Sequence, residues 1–288
     1  MKITIENNFL RVTVESFGAE LKSVCSLEDN KEFMWQGNPA VWSDTAPFLF
    51  PVVARQLNDS YYLNGRRYEM PMHGFAKDRD FEFIEQHKDS VTLALHEDEE
   101  TLSRYPFCFT VKTSFSLCGR ELRVSHIVEN NSDTDMPFSI GEHPGYAIPM
   151  KPGESIEDYY LEFSQTETAE RFYLDDEIIC GSEPCLNGNI LPIRYDTFNR
   201  GALIFKGLKS DRVALRGRNH SRSVSVDLSD WSYLGIWAKP HAEYVCIEPW
   251  NGLASSVDSS SNIWEKEGIM CLAPKENRRF SMNISFNC

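Results

Sequence analysis

Short stretches in which apolar and polar residues alternate recur along this chain, and they constrain its fold more than any other feature. The stretches Lys2–Glu6 and Leu10–Glu15 flank Asn7-Asn8, which is the pattern of a β-hairpin. Comparable stretches follow at intervals of about eight to twelve residues, with turn residues between them. There is no sustained helical periodicity and no alternation of strands with helices. The sequence therefore predicts an all-β fold, an antiparallel sandwich or barrel.

The alternating stretches predict individual strands and one helix. The predicted strands are 2–6, 10–15, 19–27, 32–36, 81–86, 90–96, 107–117, 121–130, 159–163, 202–206, 212–216, 223–228, 233–237, 244–248 and 279–286, with a hairpin at 61–68 around Asn64-Gly65. Strands 233–237 and 244–248 are the most apolar and are expected to be central. Residues 98–105 can form a short helix, because acidic residues at its start suit the helix dipole. Residues 40–58 are predicted as an ordered loop, and 180–189 as a turn-rich connection.

Chain length and charge limit the organisation and the partners of the protein. A β-sandwich of 288 residues is commonly a single domain, so residues 1–288 are expected to share one core. The formal net charge of −14 opposes binding to nucleic acid and to anionic membranes, and neither is expected as a partner. A neutral polar ligand is compatible with such a surface. A phosphorylated ligand would need a local basic pocket.

Motifs that would indicate export, metals or cofactors are missing from the sequence. No segment is apolar enough for a signal peptide or a membrane span, so a cytoplasmic protein is expected. The eight cysteines show no CxxC spacing, which argues against a zinc site and a disulfide framework, and we expect reduced, mostly buried thiols. No GxGxxG, P-loop, GxSxG or HExxH pattern occurs. We therefore expect no cofactor, no metal, no α/β-hydrolase nucleophile and no zincin chemistry.

Two histidines stand at junctions between apolar runs and turns. His143 lies between a short apolar run and Pro144-Gly145, and His73 lies in the similar segment Met70–Phe75, before a glycine. A histidine at such a junction tends to face a cleft, and its imidazole can donate or accept a proton near neutral pH. The alternative is that each imidazole only hydrogen-bonds its own turn. The repetition of the context favours a functional interpretation.

Further polar or aromatic residues stand at strand ends and in ordered loops. Glu248 follows an apolar strand and precedes Pro249-Trp250, so a carboxylate is expected beside an aromatic face. Sugars need both groups, because their hydroxyls bind carboxylates while their C–H faces pack on indole. The ordinary alternatives are a turn cap for Glu248, core packing for Trp250, a solvated charge for Glu276 and a surface ion pair for Arg55. The candidate residues are Arg55, His73, His143, Glu248, Trp250 and Glu276.

The order and spacing of these motifs resemble those of the aldose 1-epimerase, or galactose mutarotase-like, family and in particular its LacX-like branch. The resemblance covers nearly the whole chain. It rests on Phe50–Arg55, Asn64-Gly65, Met72–Ala76, Gly141–Gly145, Ile247–Gly252 and Pro274–Glu276. It implies a supersandwich of large antiparallel sheets that binds a sugar in an open cleft on one face. It also implies that the protein interconverts the α and β anomers of a hexose without a cofactor, a metal or a nucleophile.

The resemblance implies a role for each candidate residue. Glu276 would be the general base that removes the proton of the anomeric hydroxyl, and His143 the general acid that protonates the ring oxygen. The C1–O5 bond then opens, the aldehyde carbon rotates and the ring closes on the other face, each proton transfer contributing about 10² to 10⁴ in rate. His73 and Arg55 would hold the ring oxygen and the hydroxyls. Glu248 and Trp250 would line the site.

Departures from the family pattern leave the substrate open. His-Gly-Phe and Glu-His-Pro stand where the better-studied mutarotases have His-Gly-Gly and an Asn-His-Thr type motif, and their sugar-binding aspartate is placed here at Asp196. The segment from His73 is also similar to hexose-6-phosphate mutarotases, in which case Lys77, Arg79 and Arg55 would accept a phosphate. Three hypotheses follow: a mutarotase for a free aldohexose such as galactose or glucose, a hexose-6-phosphate mutarotase, and a non-catalytic carbohydrate-binding protein. A monomer or a homodimer is compatible with each.

Overall fold

β-Strands make up most of the computed structural model, which describes residues 1–288. The strands are β1 (Lys2–Glu6), β2 (Leu10–Glu15), β3 (Glu20–Ser26), β4 (Phe48–Leu49), β5 (Ser60–Leu63), β6 (Arg66–Glu69), β7 (Glu82–Gln86), β8 (Ser90–His96), β9 (Phe109–Cys118), β10 (Glu121–Asn130), β11 (Met136–Phe138), β12 (Ile140–Glu142), β13 (Gly145–Ala147), β14 (Tyr159–Asp175), β15 (Ile178–Pro192), β16 (Leu203–Lys206), β17 (Arg212–Gly217), β18 (Ser223–Asp227), β19 (Tyr233–Trp237), β20 (Tyr244–Asn251), β21 (Met270–Leu272) and β22 (Asn277–Asn287). The α-helix α1 spans Glu99–Arg104, and 3₁₀ helices span Leu57–Asp59, Ala76–Asp78, Ile156–Asp158 and Ile263–Glu265. None of the helices combines the length and the hydropathy needed to cross a membrane.

Fifteen of the strands form one large antiparallel sheet. Its order is β4-β12-β20-β19-β16-β14-β17-β18-β22-β10-β9-β8-β7, with β13 paired to β20 and β15 paired to β14 beside this path. Three smaller sheets are β1-β2-β3, β5-β6 and β11-β21. The predicted all-β class with large antiparallel sheets is confirmed.

The main hydrophobic core is a cluster of 69 buried residues. Its members alternate with more exposed residues along strands such as β2, where Leu10, Val12 and Val14 are buried, so one face of each strand packs inward. A second cluster of nine buried residues includes Trp250. All eight cysteines are free, but only Cys246 is buried, so the expectation that most of the thiols are buried is wrong.

Many predicted elements agree with the structure because their local signals are strong. Strands β1, β2, β8, β10 and β19 have the predicted bounds, and β19 and β20 are internal strands. The hairpin β5-β6 turns at Asn64 and Gly65, which both have positive φ (51° and 78°), as a type I′ turn requires. The helix α1 begins after Asp98, whose side chain accepts a hydrogen bond of 2.7 Å from the Thr101 N–H.

Two local predictions were wrong. Residues 32–36 form no strand, because the Glu32 carboxylate accepts hydrogen bonds from its own neighbours Phe33 and Met34 and from Val24. Residues 180–189 are not a turn-rich connection but part of β15, which pairs with β14 in a long arm. Three shifts of register along this pair break the simple alternation that the prediction depends on.

The register of β12, β13, β19 and β20 places the functional side chains. Gly141 of β12 lies opposite Trp250, and Gly235 of β19 lies opposite Glu248. A Cβ atom at Gly141 would lie 2.6 Å from Cδ1 of the Trp250 indole, and one at Gly235 would lie 2.7 Å from its Cζ2. The two glycines therefore leave the space that the indole fills.

Candidate active site

A cavity of about 510 Å³ opens beside β19 and β20. This volume is within the range of roughly 300–1,000 Å³ that is usual for small-molecule sites. Its lining includes Trp42, Asp44, His73, Lys77, His143, Glu177, Trp237, Lys239, Glu248 and Trp250. The structure therefore brings together five of the residues that the sequence singled out: His73, Lys77, His143, Glu248 and Trp250.

His143 and Glu248 form the central pair of this cavity. The Nε2 atom of His143 lies 3.1 Å from Oε2 of Glu248, although the angle does not meet hydrogen-bond geometry and neither carboxylate oxygen has a hydrogen-bond partner. His143 is 8% exposed and Glu248 is 1% exposed. Leaving a buried polar group without a partner costs about 1–3 kcal/mol. The pair is thus arranged to meet a polar ligand that enters the cavity.

Burial moves the pKa values of the two groups in opposite directions. Loss of solvation raises the pKa of Glu248 well above its ordinary value, with a further contribution from Glu177. The same loss of solvation lowers the pKa of His143 to about 4. Since burial disfavours both charged forms, the pair favours a protonated carboxyl beside a neutral imidazole. It can donate one proton and accept another without any further residue.

His73 is held beside this pair in a defined tautomer. The backbone N–H of Ala54 donates a hydrogen bond of 3.2 Å to Nδ1 of His73, and burial lowers the pKa of the imidazole well below its ordinary value, with smaller effects of His143 and Lys77. The neutral ring therefore carries its proton on Nε2. The ring centroids of His73 and His143 are 5.4 Å apart, so this N–H serves as a hydrogen-bond donor next to the acid–base pair.

Aromatic rings that the sequence analysis did not assign to the site fix the orientation of His143. The rings of Trp42 and His143 have centroids 5.2 Å apart at 37°, and Trp237 contacts the imidazole edge-on at 5.5 Å. Trp42 comes from the proline-interrupted loop 40–58, and Trp237 is the last residue of β19. The signals available in the sequence were an apolar loop and an aromatic residue at a strand end. Neither signal alone separates a site residue from core.

A second buried carboxylate–imidazole pair, Glu142 with His126, lies next to His143, because Glu142 immediately precedes His143 in the chain. Glu142 contacts Nε2 of His126, and Nδ1 of His126 lies 3.0 Å from Oγ1 of Thr113. His126 also stacks on Phe48 with centroids 4.3 Å apart. The sequence analysis gave His126 no role. Because Glu142 points into the core, this satisfied pair anchors the end of β12 that carries His143.

The structure corrects the placement of Glu276. Its side chain is exposed, and its carboxylate accepts a hydrogen bond of 3.1 Å from the backbone N–H of Ala273 in the turn before β22. It does not belong to the cavity lining. Glu276 therefore does not lie in the cavity as the resemblance implied, and Glu248 is the carboxylate that lies next to His143.

Arg55 and Asp196 are also outside the cavity lining. Arg55 binds both carboxylate oxygens of Asp59 at 2.9 Å and lies 2.8 Å from Asp176, which is the ion pair named above as its ordinary alternative. Asp196 is exposed in a turn closed by the Asn199 N–H. Neither residue lines the cavity, and we do not assign either of them to the ligand.

The cations considered for phosphate binding are paired with carboxylates, and the lysines of the cavity lining share it with acidic side chains. Arg79 pairs with Asp98 and Glu100 at 3.3 and 2.6 Å. Lys77 lines the cavity but lies 2.7 Å from Asp78. The lining also contains Lys239, together with the three carboxylates of Asp44, Glu177 and Glu248. The cavity is therefore not a basic pocket.

Comparisons with known proteins agree with this fold. A family model described as aldose 1-epimerase matches residues 1–285. The plasmid and chromosomal LacX proteins of Lactococcus lactis subsp. lactis are each 30% identical, over 99% of this chain and 99% of theirs. The structure of a galactose mutarotase related enzyme from Lactobacillus acidophilus superimposes with a TM-score of 0.96 at 35% identity, over 100% of this chain and 98% of that one. A galactose mutarotase-like protein from Lactobacillus casei gives 0.94 at 31% identity, over 100% of both chains.

Proposed function

Because this chain belongs to the aldose 1-epimerase family, we propose that it is an isomerase that interconverts the α and β anomers of a free aldohexose such as galactose or glucose. The observation that carries this proposal is the contact of 3.1 Å between His143 and Glu248 in a cavity large enough for a sugar. A hemiacetal opens when one proton leaves the anomeric hydroxyl and another reaches the ring oxygen. Both oxygens are bonded to C1, so the two proton carriers have to be neighbours.

The pair performs the two transfers together. One member gives a proton to the ring oxygen, while the other member removes the proton of the anomeric hydroxyl. The C1–O5 bond then breaks, the aldehyde carbon rotates, and ring closure returns both protons. Each group is therefore an acid in one half of the reaction and a base in the other, and Glu248 takes the role that the resemblance implied for Glu276.

The other residues of the lining bind and orient the sugar. The Nε2–H of His73 donates to a sugar oxygen next to the acid–base pair. The indole N–H of Trp250 is buried without a partner and is a second donor for a hydroxyl. Trp42 and Trp237 keep the imidazole of His143 in place and provide apolar surface for C–H groups.

Both alternatives are less well supported. A hexose-phosphate substrate needs free cations, whereas Arg55, Arg79 and Lys77 are paired with carboxylates. A binding protein without catalysis needs hydrogen-bonding groups, but it does not need a neighbouring imidazole and carboxyl that can exchange protons with C1–O5 and C1–O1. We also propose that the protein acts in a reducing compartment such as the cytoplasm, which its eight free thiols support.

Polarimetry on freshly dissolved sugars tests the proposal. The rate at which optical rotation relaxes is measured for α-galactose, α-glucose and glucose 6-phosphate, and the buffer-catalysed rate is subtracted. We expect acceleration for at least one free sugar in proportion to protein concentration. Acceleration of none of them removes the enzymatic function and leaves carbohydrate binding. Acceleration confined to glucose 6-phosphate establishes the phosphate alternative.

A further inference from the structure

Cys246 adds a third potential metal ligand to the acid–base pair. One donor atom each of His143, Cys246 and Glu248 lie within 4.8 Å of one another, and all three residues are buried. The Cys246 thiol has no part in the proton transfers proposed above and is absent from the cavity lining. The donors are one nitrogen, one sulfur and one oxygen, a set that suits Zn²⁺ and other thiophilic divalent ions.

The strand register makes this cluster a fixed feature of the fold. Cys246 and Glu248 are two residues apart on β20, so their side chains project from the same face. Gly145, two residues after His143, lies opposite Cys246, and the Ile247 N–H donates to the Pro144 carbonyl at 3.3 Å. These contacts hold the turn that carries His143 against β20. The sequence showed no metal motif because the ligands come together only through this pairing.

Unpartnered atoms indicate that the cluster is open to a ligand. Both carboxylate oxygens of Glu248 and Nδ1 of His143 are buried without hydrogen-bond partners, and Glu248 is 99% buried, being 1% exposed. The side chain of Glu248 therefore reaches into the cluster with its full capacity to ligate. Donors of a tetrahedral zinc site lie about 2.0–2.3 Å from the ion, so donors as far apart as 4.8 Å would have to move closer together when the ion binds.

We propose that His143, Cys246 and Glu248 bind one Zn²⁺ ion, and that this ion inhibits the protein by occupying its acid–base pair. Binding forms bonds from the ion to nitrogen, sulfur and oxygen, and the thiol proton is released to solvent. No oxidation or reduction is involved. The fourth position faces the cavity and takes water. The inhibition rests on the function proposed above, whereas the binding does not.

Metal binding is tested first, on the purified full-length chain. Co²⁺ serves as a spectroscopic probe, and the affinity for Zn²⁺ is measured by competition with a chromophoric chelator. We expect one tight site per chain and a thiolate-to-cobalt absorption band. Cys246→Ala should remove the band and weaken Zn²⁺ binding at least tenfold. Cys108→Ala changes a half-buried cysteine outside the cluster, and it should keep both the cobalt band and the wild-type affinity for Zn²⁺. An unchanged band in Cys246→Ala would overturn the proposal, and Cys246→Ser replaces that variant if it does not fold.

Inhibition is tested next, by polarimetry in buffer that has been treated with chelator. Zn²⁺ should stop the wild-type reaction, and EDTA should restore it. Cys246→Ala should retain the metal-free rate within about threefold and need at least tenfold more Zn²⁺ for the same inhibition. Equal sensitivity of the two proteins would refute the site. If no sugar is accelerated, the function proposed above fails, while the cobalt band still decides whether the metal binds.

Discussion

Burial alone does not identify the reactive residues of this protein. Two buried carboxylate–imidazole pairs occur next to each other: Glu142 with His126, and Glu248 with His143. The first is closed off in the core, and His126 has a hydroxyl at its other nitrogen. The second lines the cavity, and its oxygens lack partners. Unsatisfied hydrogen-bonding capacity that faces a cavity is therefore what distinguishes the candidate site.

Removal of the titratable group of Glu248 is expected to stop the reaction. Glu248→Gln keeps the volume of the side chain but cannot exchange a proton, so kcat/KM for the preferred sugar should fall at least about a hundredfold. Glu276→Gln is the matched control, since that exposed carboxylate lies outside the cavity, and it should keep the wild-type rate. The measurement is polarimetry on both variants, with circular dichroism to show that they are folded.

The opposite result would restore the assignment made from the sequence. If Glu276→Gln loses activity while Glu248→Gln keeps it, the turn before β22 contributes to catalysis and the cavity has been misassigned. A fall in both variants without loss of structure would mean that the two carboxylates act on one reaction. Only a fall confined to Glu248→Gln agrees with the observed geometry.

At the scale of secondary-structure elements, the sequence predicted the strands that bury one face. Alternation in β1, β2 and β10 reflects a difference between a core side and a solvent side, and the predicted bounds of these strands are correct. The arm β14-β15 has many side chains exposed on both faces and shifts its register. The alternation of apolar and polar residues in this arm therefore carries little information about its strands. This is why residues 180–189 were predicted as a turn-rich connection and not as part of β15.

Local sequence patterns carry no information about strand pairing, and this explains which site residues could be predicted. His143 and His73 stand at turns next to apolar runs, and the structure places both in the cavity. Glu248 and Glu276 have similar local contexts, since each is a carboxylate near a proline at one boundary of a strand predicted from the sequence. What separates them is the pairing of β20 with β12 and β19, and sequence spacing does not contain that information. Trp42 was missed because its loop reaches the site through tertiary contacts with His143 and Tyr244.

The packing of Trp250 against β19 gives a prediction at this scale. In Gly235→Ala the new Cβ would lie 2.7 Å from the indole, so the ring has to move, and Glu248 lies opposite the substituted residue. Overpacking of this kind should lower the free energy of unfolding by about 1–3 kcal/mol and kcat/KM by roughly tenfold, since small displacements in an active site are costly. Denaturant unfolding and polarimetry measure the two effects.

A matched glycine in the arm provides the control. Gly181→Ala brings its Cβ only against the hydroxyl end of Tyr173, which can move aside. Its unfolding free energy should change by no more than about 0.5 kcal/mol, and its rate should be that of the wild type. If Gly235→Ala behaves in the same way, the indole is not confined by β19.

At the scale of the whole molecule, charge separates the two possible classes of sugar. The net charge is −14, and the cations Arg55, Arg79 and Lys77 are engaged in ion pairs. A dianionic phosphate ester therefore approaches against the overall field and finds no cluster of free cations at the cavity. A neutral hexose is not affected by that field, so the electrostatics favour a neutral substrate.

The preference for a neutral sugar over a phosphate ester should depend on ionic strength. Between ionic strengths of about 0.01 M and about 1 M the Debye length falls from about 30 Å to about 3 Å, so repulsion of a phosphate ester is largely screened at the higher value. We expect kcat/KM for glucose 6-phosphate to be at least tenfold below that for the preferred free sugar at low salt, and the gap to narrow as salt is added. The rate for the free sugar should stay constant, which serves as the internal control. A gap that widens with salt would mean that Lys77 or Lys239 attracts the phosphate at low salt, and it would refute the conclusion that the field of the protein repels phosphate esters.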